Sequence, residues 1–327
     1  MIAPWLQSAW QRVWQQCKEG RLPHALMLSG INGLGKLAFA KQLNNALLCQ
    51  AVSDAGEPCG QCHDCRLFAG EVHPNSLIVV PEKAGQAIKV DQVRDANAFV
   101  AESSFKGKTR IVIFEPADQL NLNAANALLK TLEEPASDAV IILVCHQMGT
   151  LPATIRSRCQ QLHFTAPATE QSLAWLSYQN ISSSIPLAVL LNLAGGAPYQ
   201  ALRLASDEHL PVREAFYNAW VSLAKREGDA IAYAQTFQKE ELSLLLNLSL
   251  SFLTDLMRAK VSLGEAALTN LDRANDVTQL MSKTNLPLLT TFMAQCTRWQ
   301  KQIYLGFTLN KNLMLETLFY RWMECTA

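Results

Sequence analysis

Eight residues, Gly30-Ile31-Asn32-Gly33-Leu34-Gly35-Lys36-Leu37, constrain the fold of this chain more than any other stretch. An apolar run, Ala25-Leu26-Met27-Leu28, precedes them, and a helical pattern carried by Ala38, Leu43, Leu47 and Leu48 follows. A strand that runs through a glycine loop into a helix is the context of the phosphate-binding motif G-x-x-x-x-G-K-[ST]. In that motif the glycines let successive backbone N–H groups converge on phosphate oxygens at a helix N-terminus, and the lysine adds a point charge. Gly30, Gly33, Gly35 and Lys36 are therefore the candidate cradle. The last position breaks the pattern: Leu37 stands where a hydroxyl would bind Mg²⁺, and an alkyl side chain cannot ligate a hard cation. Nucleotide binding is expected to be weak or absent.

Further along, Ser76-Leu77-Ile78-Val79-Val80 reads as a buried strand, and Val90, Val93, Asn97 and Val100 mark a helix. Arg110-Ile111-Val112-Ile113-Phe114 reads as a strand that ends in Glu115-Pro116-Ala117-Asp118. An ATPase needs a metal-binding Asp and a water-activating acid at such a strand end. Here Glu115 takes the first place and Pro116, which can neither accept a proton nor orient water, takes the next. A helix over residues 123–134 follows, with Ala124, Ala127, Leu128 and Leu132 on one side and Pro135 as its stop. Glu133 and Glu134 sit at its C-terminal end, where the helix dipole disfavours carboxylates, so they are either solvated or meet a positive partner surface. Another strand, Ala139-Val140-Ile141-Ile142-Leu143-Val144-Cys145, precedes Arg156-Ser157-Arg158-Cys159 and a short run, Gln161-Leu162-His163-Phe164. Strands alternating with helices predict a parallel sheet covered on both faces.

Four cysteines, Cys49, Cys59, Cys62 and Cys65, are spaced with nine residues between the first pair and two between each later pair. The short loops aim successive sulfurs at one centre, as a closed tetrahedral Zn²⁺ site requires, and four thiolates leave no open position, so the metal is expected to be structural. Free surface thiols or an iron–sulfur cluster are the alternatives, and His63 is a less suitable substitute ligand. Trp5, Trp10 and Trp14 recur at helical spacing and are expected to dock a first helix by packing; His24 receives the same structural reading.

From Ala166 onward the periodicity is purely helical, broken at Gly195-Gly196-Ala197-Pro198. Leu242, Leu245, Leu246, Phe252, Leu253 and Leu256 form a stripe interrupted by Ser249, with Leu244, Leu248 and Leu250 outside it. Such coverage predicts a helical bundle. A chain of 327 residues suggests two or three domains. Its 28 basic and 28 acidic residues give no global field toward DNA, which argues against a zinc-dependent nucleic-acid binder and for contact with nucleic acid through partners. No apolar run approaches the roughly 20 residues of a membrane span, and no basic and apolar leader opens the chain, so the expected location is the cytoplasm.

Taken together, Leu22-Pro23-His24-Ala25-Leu26, the incomplete loop, the four cysteines, His73-Pro74-Asn75, Asn126-Ala127-Leu128-Leu129-Lys130-Thr131-Leu132-Glu133-Glu134-Pro135, Ser157-Arg158-Cys159 and Asn310-Lys311-Asn312-Leu313-Met314-Leu315-Glu316 resemble the bacterial clamp-loader family of AAA+ proteins. The resemblance covers essentially the whole chain. It implies an α/β fold: a degenerate AAA+ domain over residues 1–165 with a zinc module at 49–65, a helical lid domain over 166–206, and a C-terminal all-α collar over 207–327. Motor subunits of the family keep a hydroxyl residue after the loop lysine, Asp-Glu at the strand end and a lid arginine. Here Leu37, Glu115-Pro116 and Tyr199 hold those places, and His146 stands where motors carry a small polar sensor. By resemblance, Arg158, between Ser157 and Cys159, projects in trans into a neighbouring motor's ATP site. The partners so implied are motor subunits (gamma or tau) and a delta subunit in a hetero-pentameric ring, with the sliding clamp and primed DNA reached through the complex. No catalysis of its own is expected, and nothing in the chain resembles the active site of the DNA-directed DNA polymerase whose holoenzyme it would join. The alternative is a weak ATPase using Lys36 and Glu115.

Overall fold

A computed structural model describes residues 2–83, 86–102, 109–135, 138–179, 181, 185–205, 209–261, 268–307 and 309–326. The chain forms two compact units, Met1–Gln171 and Ser172–Ala327.

The first unit is built on five parallel strands, β1 (Ala25–Ser29), β2 (Ser76–Val79), β3 (Arg110–Phe114), β4 (Ala139–Cys145) and β5 (Gln160–His163), in the order β2-β3-β4-β1-β5. Its helices are α1 (Gln7–Lys18), α2 (Lys36–Leu48), α3 (His63–Ala69), α4 (Val90–Ala101), α5 (Leu122–Glu133) and α6 (Ala153–Arg156). Every residue of β1, β3 and β4 is buried, as expected of near-continuous aliphatic strands covered on both faces. Alternate residues, among them Met27, Val112, Phe114, Ile141 and Leu143, pack with Val93 and Val100 of α4 and Leu128 and Leu132 of α5. The short run at 161–164 forms most of a fifth strand, pairing with β1. One expectation needs correction. The strand expected to be buried, β2, is only partly so: Ser76, Leu77 and Ile78 are half-buried because β2 lies at the sheet edge, and only Val79 is fully enclosed. Asn121 caps α5, its side chain accepting the Ala124 N–H at 2.8 Å, which sets the helix to begin at Leu122.

This strand order fixes where a site can form. The chain leaves β1 for the far edge, returns through β3 and β4 to β1's side, and then crosses to β5. The carboxyl ends of β1, β3 and β4 therefore open onto one crevice, since Ser29 pairs with Cys145 and Phe114 with Leu143.

The second unit, with the end of α7 (Thr169–Ser177), is helical throughout its described residues: α8 (Leu187–Leu193), α9 (Pro198–Leu204), α10 (His209–Ala224), α11 (Ala230–Thr236), α12 (Leu242–Lys260), α13 (Ala274–Lys283), α14 (Leu286–Tyr304) and α15 (Lys311–Cys325). Leu176, Leu190, Leu191, Ala201 and Ala205 form one small core, and residues from Phe216 to Cys325 form another. The expected boundary at 206/207 lies outside the described residues. In the larger core Trp220 stacks on Trp322 at 4.6 Å between ring centroids, and the Trp322 indole donates to the Trp220 carbonyl at 2.8 Å. Leu248, placed outside the stripe by its spacing, is buried, because α12 is covered over a wider arc than one stripe. By length and composition alone α12 is long and apolar enough to cross a membrane; here its apolar residues form part of the bundle core.

Candidate functional site

Gly30 opens the loop after β1 with φ +142°, and a Cβ there would lie 2.3 Å from the Phe164 carbonyl oxygen. Only glycine fits, since both the backbone conformation and the space refuse a side chain. Gly35, at φ 89°, is the residue from which α2 starts. Lys36 is 2% exposed, and its ammonium donates to the carbonyls of Gly30 at 2.7 Å and Ile31 at 2.6 Å. Burial pulls its pKa down to about 8 against the opposing charges of Asp118 and Glu115. The cation thus ties the loop to itself. From the short turn Pro4–Leu6 before α1, the Trp5 indole donates to the Leu34 carbonyl at 2.9 Å, a second tie on the same loop. Leu37, at the hydroxyl position, lines a cavity of about 410 Å³ with Phe68, Leu77, Ile78 and Val80.

At the other strand ends, Glu115 Oε1 lies 3.3 Å from His146 Nε2. The two side chains at these strand ends are therefore paired with each other. Asp118, 5% exposed, accepts the backbone N–H groups of His146 at 3.0 Å and Gln147 at 2.8 Å. Sequence reading gave Asp118 no role; its partners follow β4, and nothing local to Asp118 announces them. It fixes the β3–β4 crevice by satisfying backbone donors.

Arg158 lies outside this crevice, in the turn after α6. Its Nη1 donates to the Thr154 carbonyl at 2.9 Å, and its Nη2 lies 2.5 Å from Glu133 Oε1. Ser157 donates to the same Thr154 carbonyl at 3.1 Å, and Cys159 is buried, where desolvation pushes its thiol up to about 11. Glu133 thus meets an arginine of its own chain. Both side chains are partly exposed, so the pair is worth under about 1 kcal/mol of stability. Tyr199, expected at the lid position, is packed on Trp175 at 4.7 Å, and burial raises its hydroxyl pKa.

The four cysteines come together. Their Sγ atoms all lie within 4.8 Å of one another, with Cys49–Cys62 and Cys59–Cys65 at 4.0 Å each. A tetrahedron of Zn–S bonds of about 2.3 Å needs sulfurs about 3.8 Å apart, so the donor set fits zinc. Backbone N–H groups of Ala51 and Cys59 point at Cys49 Sγ, that of Cys62 at Cys59 Sγ and that of Cys65 at Cys62 Sγ. Such donors favour thiolate. Burial pushes Cys62 up, but the N–H groups of Gln50 and Cys65 outweigh it and bring it down to about 6; burial dominates at Cys65 and raises it to about 12. His63 is exposed and outside the cluster. The module is anchored on both sides. Trp10 and Trp14 of α1 donate to the carbonyls of Ala55 and Asp54 at 2.8 and 3.1 Å, which goes beyond the packing role expected of them. In the first turn of α3, Asp64 accepts from the Gln50 amide at 2.8 Å and faces His73 at 3.3 Å.

Residues 5–168 match the family model described as DNA polymerase III, delta subunit, and residues 207–324 match that described as DNA polymerase III, delta subunit, C terminal. The chain is 33% identical over 322 residues to the DNA polymerase III subunit delta' of Pseudomonas aeruginosa, covering 98% of this chain and 97% of that one. It is 31% identical to the subunit delta' of Yersinia pestis, over 98% and 94% of the two chains, and 30% identical to that of Escherichia coli K12, over 97% and 94%.

Proposed function

This chain belongs to the family of DNA polymerase III delta' subunits, and we propose that it is the non-hydrolysing member of a sliding-clamp loader, supplying Arg158 in trans to the ATP site of a neighbouring motor subunit. The observation that carries this reading is Leu37 at the hydroxyl position, next to Lys36, whose ammonium meets the Gly30 and Ile31 carbonyls of its own loop. Leu37 offers no ligand to Mg²⁺, and Glu115 is paired with His146, so the parts of a hydrolytic site are either missing or engaged with one another. Arg158 is also paired within the chain, with Glu133, but it remains partly exposed. It stands on a surface turn with a permanently charged planar fork that suits phosphate oxygens. A guanidinium delivered from a neighbour offsets charge developing on the transferred phosphoryl group and is worth about 10³ to 10⁵ in rate. In such a complex the protein works in the cytoplasm and meets the clamp and primed DNA through its partners. The four cysteines hold a structural zinc, and any nucleotide at the loop is weakly bound.

The test compares ATP turnover by the isolated chain with turnover in a complex reconstituted with motor and delta subunits, using wild-type protein and Arg158→Ala. The isolated chain is expected to be inactive. Arg158→Ala is expected to assemble normally and to lose on the order of 10³ in rate at the one site it serves, seen as a partial loss of total turnover. Magnesium-dependent turnover by the isolated chain, or an Arg158→Ala complex as fast as wild type, would reject the proposal.

A further inference from the structure

Glu133 occupies a position that helix physics disfavours. It is the last residue of α5, where exposed carbonyls repel a carboxylate, and a half-exposed ion pair contributes too little stability to explain its presence. Its support, however, is rigid. Leu132, next to it, is buried in the sheet core, and the Leu132 carbonyl meets His24 Nε2 at 3.1 Å. His24 immediately precedes β1, the strand between β4 and β5, so the end of α5 is tied to the centre of the sheet. Glu133 therefore presents its carboxylate from a fixed point.

Arg158 has a long side chain with several rotatable bonds, and on a surface turn it would populate many rotamers. It is held at both ends of its fork instead, Nη1 on the Thr154 carbonyl, with the Ser157 hydroxyl at 3.4 Å, and Nη2 on Glu133. Two contacts of this kind fix both the direction and the plane of the guanidinium. Catalytic groups act well only when such ordering is complete before the reacting partner arrives.

We infer that Glu133 is a positioning residue for Arg158, holding the guanidinium in the orientation from which it engages the neighbour's phosphates. The inference rests on the reading of Arg158 as a trans-acting finger. Its signature is a change in turnover without a change in nucleotide affinity, since Glu133 itself does not meet the nucleotide.

The experiment measures steady-state ATP turnover in the reconstituted complex with Glu133→Ala, Glu133→Gln, Arg158→Ala and the double variant Glu133→Ala/Arg158→Ala. Glu133→Ala is expected to lower kcat at the served site about twofold to fivefold, with KM for ATP unchanged, as loss of pre-ordering by a pair worth under about 1 kcal/mol predicts. Glu133→Gln, which keeps an acceptor for Nη2, is expected to recover much of the rate. The double variant is expected to match Arg158→Ala, because a residue acting only through Arg158 has nothing left to act on. Unchanged or raised turnover in Glu133→Ala, or a further loss in the double variant, would overturn the inference while leaving the finger reading intact. Wild-type turnover in Arg158→Ala would remove the finger reading itself and this inference with it.

Discussion

Lys36 Nζ lies 2.7 Å from the carbonyl oxygen of Gly30, the residue that opens its own loop. This cation is buried against its own backbone, and burial lowers its pKa from 10.5 to about 8. Between those values the unfolded chain holds the proton and the folded chain does not, so this group makes stability rise with pH from about 8 to 10.5. Below about 8 both states are protonated and the burial penalty is fully present. Against Lys36→Met, the wild type is expected to gain up to about 1.4 kcal/mol per pH unit in that window, read from urea midpoints. A pH-independent difference between the two proteins would show that Lys36 is not desolvated in this way.

The sulfur geometry leads to a stoichiometric prediction. Purified protein is expected to carry about one zinc per chain, and Cys62→Ser is expected to lose it together with thermal stability, because a closed four-sulfur site contributes folding free energy directly. Elemental analysis and melting with and without a chelator measure both effects. Metal-free wild-type protein with an unchanged melting curve would reject the site.

Asp255 of α12 is fully buried and accepts the backbone N–H groups of Thr269 and Asn270 and the Asn270 side-chain amide, each at 2.7 Å. Asn270 in turn accepts from Tyr217 at 3.1 Å and Arg213 at 3.0 Å, and Arg213 also grips Asp272 through two bonds of 2.7 and 2.8 Å. Removing Asp255 strands several buried donors at once. Asp255→Ala is expected to destabilise the protein by about 3 to 5 kcal/mol, measured by urea unfolding. A loss under about 1 kcal/mol would mean that water or a rearranged segment replaces the carboxylate.

Much of the first unit is legible in its sequence. The aliphatic runs of β1, β3 and β4 announce buried strands because a sheet covered on both faces needs apolar residues at every position. The spacing of Cys59, Cys62 and Cys65 announces the convergence of their sulfurs with that of Cys49, because short loops bring these side chains together. The edge position of β2 was not legible, since Ser76-Leu77-Ile78-Val79 is as apolar as a central strand; the pairing order alone leaves one side uncovered. The burial of Leu248 and Asp255 also escaped the pattern, because helical spacing describes one face and a bundle can cover more than one.

The order of residues along the chain determined what this protein lacks and what it keeps: Leu37 cannot bind magnesium, Pro116 cannot act as a base, and Arg158 is always charged. Those are properties of side chains, and no fold alters them. Tertiary structure decided what the remaining groups do, pairing Glu115 with His146, Asp118 with the backbone after β4, and Glu133 with Arg158. Each of these contacts joins segments distant in sequence, which only the parallel crossings of the sheet bring within hydrogen-bonding reach.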